Sequence, residues 1–205
     1  DRIISHIERF VCPTIASNQL VGGEPFRFAQ DRRRIVMVIG DDEYKTEVTL
    51  PEYTKSVLEP AGFQVSIIHA STENKHDFPG LVEALSNADL LLISARRRFP
   101  KTEQLEAVKA FVRAGKPVVG IRTANHAFAA RVGVEVPAGH AVWNDIDREL
   151  FGGHYTNHHG VGPIVTLTPV AGMEQHPILA QVDLSQLTGR GSLYKTAPQR
   201  RYDTA

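Results

Sequence analysis

Pro117–Phe128, PVVGIRTANHAF, is the stretch on which the fold is read. Its first half, Pro117–Ile121, is a short apolar run, as in a strand of a parallel sheet covered on both faces. Its second half brings Arg122, Thr123, Asn125 and His126 within five residues, where such a strand gives way to a turn and a helix. A guanidinium, a hydroxyl, an amide and an imidazole gathered there suggest a site at the strand's carboxyl edge, where open α/β sheets bind their ligands. The plainer alternative is an ordinary strand-to-helix turn, with Thr or Asn capping the helix and Arg in solvent. A second strand end, from Gly40 onward, is equally polar, and this favours the site.

Three more apolar runs lie upstream: Ile35–Ile39, closed by Gly40, then Phe63–Ala70, then Asp89–Ala95. Helical patterns separate them. Thr49 and Glu52 have capping-box spacing, with Pro51 suited to a first helical turn and Gly62 to a C-terminal cap. Leu81, Val82 and Leu85 mark a short second helix. Thr102 can cap a third, with Leu105, Val108, Phe111 and Val112 on one face and Gly115 at its end. The order β-α-β-α-β-α-β predicts an α/β fold, a three-layer, flavodoxin-like doubly wound parallel sheet. Right-handed crossovers then put the loops after the first, third and fourth strands along one edge. The acidic loop 41–47, the run Arg96-Arg97-Arg98 and the turn Arg122–His126 should face one crevice.

Length and composition bound the rest. A chain of 205 residues is read as one domain with extensions: an N-terminal arm over 1–33, a domain over 34–196 and a polar tail over 197–205. Ile3, Ile4, Ile7 and Phe10 have helical spacing within the arm. Lys and Arg balance Asp and Glu at 23 each, so no basic footprint for nucleic acid or an anionic membrane is expected. No apolar run approaches a membrane span. One cysteine, Cys12, excludes an intrachain disulfide and multi-cysteine zinc sites. The first thirty residues lack signal-peptide features, which leaves both a cytoplasmic location and export with removal of a signal open. Homo-oligomerisation is equally open.

The chemistry is narrowed by what the loops contain. The first strand is followed by Asp41, Asp42, Glu43, Tyr44, Lys45, Thr46 and Glu47, not by a glycine-rich phosphate cradle. Four carboxylates repel phosphate, so a nucleotide is not expected there. Gly120-Ile121-Arg122-Thr123-Ala124 occupies the place of a nucleophile elbow, but its central residue is Arg122, which cannot attack. Candidate acid–base groups are Glu43, Tyr44, His126 and His158. Candidate substrate contacts are Asp42, Arg122, Thr123, Asn125, Trp143 and Tyr155, the two aromatic rings suited to stacking on a sugar. His154, His158 and His159 can be read as ligands of a divalent metal such as zinc, since positions i and i+4 share a helix face. Gly152, Gly153 and Gly160 around them point instead to a loop, with the imidazoles bonding backbone or substrate oxygens. Further strands are expected at Ile164–Leu167 and Ser192–Thr196.

The order of strands, with IVMVIGDDEYKTEVTLPEY, GKPVVGIRTANHAF and FGGHYTNHHG, resembles the trehalose-utilisation (ThuA-like) family of the class I glutamine-amidotransferase-like superfamily. The resemblance covers about residues 34–196 and implies a flavodoxin-like sheet and a role linked to sugars or oxidised (keto) sugars. It carries no settled reaction; a carbohydrate-active hydrolase or lyase is one expectation, and a non-catalytic carbohydrate-binding or scaffold domain is the other. Amidotransferases carry Cys where this chain has Arg122, so glutamine hydrolysis by that route is not expected. Many family members continue into another strand and a Gly-His-rich turn that this sequence does not display.

Overall fold

The computed structural model describes residues 33–162, 164–180, 182–189 and 191–197. The N-terminal arm expected over 1–33 lies almost wholly outside them, as does most of the polar tail. The described residues divide into two compact units, one of 33–157 with 195–197 and one within 158–194.

The first unit is built on four strands, β1 (Arg34–Gly40), β2 (Gln64–His69), β3 (Leu90–Ala95) and β4 (Val118–Gly120). All neighbours are parallel, in the order β2-β1-β3-β4. The chain leaves β1 to one side for β2 and returns to the other side for β3. The order therefore reverses between β1 and β3, the switch point where such sheets open a crevice at their carboxyl ends.

β1 and β3 are buried on both faces, as their unbroken apolar runs require. Side chains alternate between faces. Val36, Val38, Leu91 and Ile93 join the core beneath helices α2 (Leu81–Ser86) and α3 (Thr102–Arg113), which supply Leu81, Leu85, Leu105, Val108 and Phe111. On the other face, helix α1 (Thr46–Tyr53) approaches through Thr46, bonded to Ser94, and the Thr54 hydroxyl that follows it donates to the Met37 sulfur. This gives the three layers the repeat predicted.

α1 departs from the sequence reading. It begins at Thr46, three residues before the expected capping box, and Pro51 falls inside it. Proline has no N–H and its ring crowds the carbonyl four residues back. The following turn, Thr54–Leu58, is wider, with Glu59 N–H donating to Thr54 O, a π-type bond. Thr102 is the first residue of α3; the cap is Lys101, whose N–H donates to the Gln104 side chain.

After β4 come a tight 3-10 turn, Arg122–His126, a short helix α4 (Ile146–Leu150) and β5 (His154–His158). β5 pairs with β6 (Tyr194–Ala197) in a separate two-stranded sheet. The glycine-flanked histidine segment, read from sequence as a loop or helix, is thus a strand. Ile164–Leu167 is not one: only Val165 makes a bridge, to Gly189. This stretch is mostly exposed, and no alternation of buried and exposed faces holds it in a sheet.

Candidate functional site at the carboxyl edge of the sheet

The strand ends after β1, β3 and β4 meet as the topology requires. Asp41, buried directly after β1, is the link. Its Oδ2 accepts from the Thr123 hydroxyl at 2.5 Å and its Oδ1 accepts from Glu43 N–H at 2.8 Å. One carboxylate therefore fixes both the acidic loop and the turn after β4. The β3 loop is tied to the same turn: Arg97 N–H donates to His126 O and Arg98 N–H to Ala127 O.

Charges of both signs then pair across the crevice. Arg98 meets Asp42 at 2.7 Å, and Arg96 meets Glu43 at 2.8 Å. The hydrogen bond from Arg98 holds the Asp42 carboxyl below its ordinary 3.8. The triple arginine is part of the edge, as the crossovers predicted. A cavity of about 240 Å³ opens beside it, lined by Asp41, Asp42, Glu47 and His69 among others.

The turn after β4 has the geometry of an elbow. Arg122 sits at its apex with φ 43°, in the left-handed region. Small residues flank it because the chain folds back on itself: a Cβ on Gly120 would lie 3.0 Å from the Ala124 Cβ and 2.5 Å from the Phe151 ring. The Arg122 guanidinium lies 4.5 Å over the ring of Tyr44, which is 39% exposed. Asn125 Oδ1 is buried without a hydrogen-bond partner among the described residues, an arrangement that costs about 1–3 kcal/mol unless a donor arrives.

His126 closes the turn from inside and is 6% exposed. Burial, reinforced by Arg97 and Arg96, pushes its imidazole down to about 4, so the ring is neutral near pH 7. Tyr155 of β5 lies against it, ring centroids 4.8 Å apart. Glu43, Tyr44, Arg122, Asn125 and His126 thus all fall at one edge, with Thr123, Asp42 and Tyr155 beside them.

Trp143 does not join them, and His158 and His159 belong to the other unit. Trp143 belongs to the core, with its indole N–H donating to Glu149 at 2.7 Å. His158 and His159 are exposed in the second unit, where His158 Nδ1 lies 3.1 Å from the His159 carbonyl. On a strand, residues four apart share a face but are separated by about 13 Å. The helical spacing that suggested the pairing of His154 with His158 is thus strand spacing here. Among the described residues no group of three or more His, Cys, Asp or Glu side chains is placed to hold a metal. No described helix is long and apolar enough to cross a membrane.

Two participants were missed. Asp41 follows the strand directly and counts with the acidic loop, not among the candidate site residues. Asp147 lies in an unremarkable helical stretch, yet its buried carboxylate takes up His154 Nδ1 at 2.9 Å and Tyr155 N–H at 2.8 Å. No spacing rule announces either.

Fold and edge together define an open, parallel α/β domain with a polar carboxyl edge at its switch point and an arginine at the apex of its elbow. The fold is that of a solved structure described as a "Putative thua-like protein" from Bacteroides uniformis ATCC 8492. The TM-score is 0.55 at 14% identity, over 89% of this chain and 69% of that one. The resemblance seen in the three sequence motifs therefore holds at the level of the fold. No family model matches the chain, and no curated protein does.

Proposed function

We propose that the chain is a ThuA-like domain whose carboxyl-edge crevice binds a carbohydrate or oxidised sugar and performs acid–base chemistry on it, without glutamine amidotransfer. The observation that carries this reading is Arg122, kept in left-handed backbone at the elbow apex where a nucleophile would stand and stacked on Tyr44. Planar guanidinium groups bind paired oxygens strongly, and an exposed tyrosine ring suits the apolar face of a sugar. Asp41 and Thr123 hold this turn in place, and Asn125 offers an acceptor to a hydroxyl.

The test is calorimetric titration with a panel of neutral, oxidised and acidic sugars. Wild type should bind at least one of them, and Arg122→Met should weaken that binding tenfold or more while urea melts stay within about 1 kcal/mol of wild type, the range of exposed ion pairs. Equal binding by the variant would refute the assignment. A non-catalytic binding domain is the second reading. It is favoured by the resting ion pairs of Asp42 and Glu43, which occupy the carboxylates that acid–base work would use. Turnover of a bound sugar, followed by proton NMR, separates the two.

A further inference from the structure

We infer that Asp147 and His154 form an oriented base dyad, with His154 Nε2 as the group that exchanges protons with a ligand in the crevice. The inference rests on the crevice reading above and supplies the group that His126, buried beneath the elbow, is poorly placed to be. It begins with the hydrogen bonds of Asp147. This residue lies in α4, its side chain 5% exposed. Its Oδ1 accepts from Arg148 N–H at 2.8 Å, and its Oδ2 accepts from Tyr155 N–H at 2.8 Å and meets His154 Nδ1 at 2.9 Å.

A carboxylate that accepts a backbone N–H is an acceptor, so the imidazole nitrogen facing it must be the donor. In its neutral form His154 therefore carries its proton on Nδ1, and Nε2 is left with a lone pair. The ring itself is 37% exposed, where a ligand can reach it. This is the relation in which a buried carboxylate fixes the tautomer and direction of a catalytic imidazole.

The dyad is built against the elbow. α4 packs on the turn Arg122–His126, and Phe151 just beyond it covers Gly120. The residue after His154, Tyr155, lies on the His126 ring. Asp147 thus ties the start of β5 to the same turn that presents Arg122. In the proposed step Nε2 takes a proton from a bound ligand's O–H or activated C–H and becomes N–H. The ring then carries a positive charge held by Asp147, and the proton returns to product or solvent. Asp147 is the positioning residue and His154 the catalytic one.

The first measurement needs no ligand. Nitrogen-15 NMR of the full chain, labelled at histidine and followed to alkaline pH where the ring is neutral, should show His154 with a protonated Nδ1 and a bare Nε2. In Asp147→Asn the population should move toward the Nε2–H form, with the fold checked by backbone spectra. A wild-type His154 protonated on Nε2, or a tautomer indifferent to Asp147→Asn, overturns the dyad. The second measurement uses any sugar from the panel that wild type turns over. His154→Gln should lower kcat 100-fold or more with less than a tenfold change in KM, and Asp147→Asn should lower kcat with a similar split. An unchanged kcat in His154→Gln overturns the catalytic assignment. If no sugar binds wild type, the crevice reading fails while the tautomer result still decides the dyad.

Discussion

At most positions glycine is a poorer choice than alanine, and at Arg122 the order should invert. The perturbation is a pair of variants, Arg122→Gly and Arg122→Ala. Both remove the guanidinium, so its stacking on Tyr44 and every other contact it makes cancel in the comparison. What remains is backbone. Arg122 has φ 43°, and a left-handed conformation costs a residue with a Cβ about 1–2 kcal/mol. Glycine escapes that cost but loses about 0.5–1 kcal/mol more in chain entropy on folding than alanine does. The balance leaves Arg122→Gly more stable than Arg122→Ala by about 0.5–1 kcal/mol, opposite in sign to an ordinary site. Urea melts with a shared m-value read this difference directly. If Arg122→Ala is the more stable variant, the elbow is not strained as described, and the reading of residue 122 as a side chain held at a cost falls with it.

Two further outcomes follow from the same edge. Gly120→Ala should cost about 1–3 kcal/mol, typical of forcing an extra carbon into a packed site, because the new Cβ meets the Phe151 ring at 2.5 Å; Phe151→Ala in the same chain should absorb most of that cost, and a strictly additive double variant would refute the contact. His126 makes stability depend on pH with a definite sign: its imidazole falls from 6.5 to about 4 on folding, so between those values the unfolded chain binds the proton and the native state does not. Stability should therefore decline as pH drops from 6.5 toward 4, by up to about 3 kcal/mol, and level off below. The difference between wild-type and His126→Gln melts across that window isolates the effect, and parallel profiles would contradict it.

How much of this was legible in the sequence depends on how local the signal is. IVMVI, LLLIS and PVVGI read as buried parallel strands because each is short, apolar and bounded by polar or glycine residues; the first two are buried, whereas the third is the edge strand β4 and is only half-buried. Their spacing then dictated the crossovers and the shared edge. α1 was misplaced because Thr49-x-x-Glu52 and Pro51 make a good helix start on paper. The chain instead starts at Thr46, whose hydroxyl is taken by Ser94 of β3, 48 residues away. A long-range bond of that kind leaves no local trace. The histidine segment was ambiguous for the opposite reason: Gly152, Gly153 and Gly160 are strong local signals for a loop, and they bracket a strand. Asp41 and Asp147 are the clearest cases of illegibility. Each acts by being buried next to a partner that only the fold supplies, Thr123 for one and His154 for the other.

Backbone strain gathers at this edge on residues of one kind. Among the described residues, those with a side chain and positive φ are Lys45, Arg97 and Arg122. Each follows the carboxyl end of a different strand, β1, β3 and β4, and each is basic. Tight turns alone do not explain them, because Gly62, Gly80 and Gly115 make left-handed turns elsewhere in the same unit. A glycine would serve the turn at each of the three positions with less strain. What the chain keeps by avoiding glycine is a long cation. For Arg97 the use is visible: its guanidinium donates to the carbonyls of Ala129 and Ala130 and holds the segment after the elbow. Arg122 lies over the ring of Tyr44, which is 39% exposed. One strained arginine braces the segment after the elbow, and the other stacks on a ring of the acidic loop.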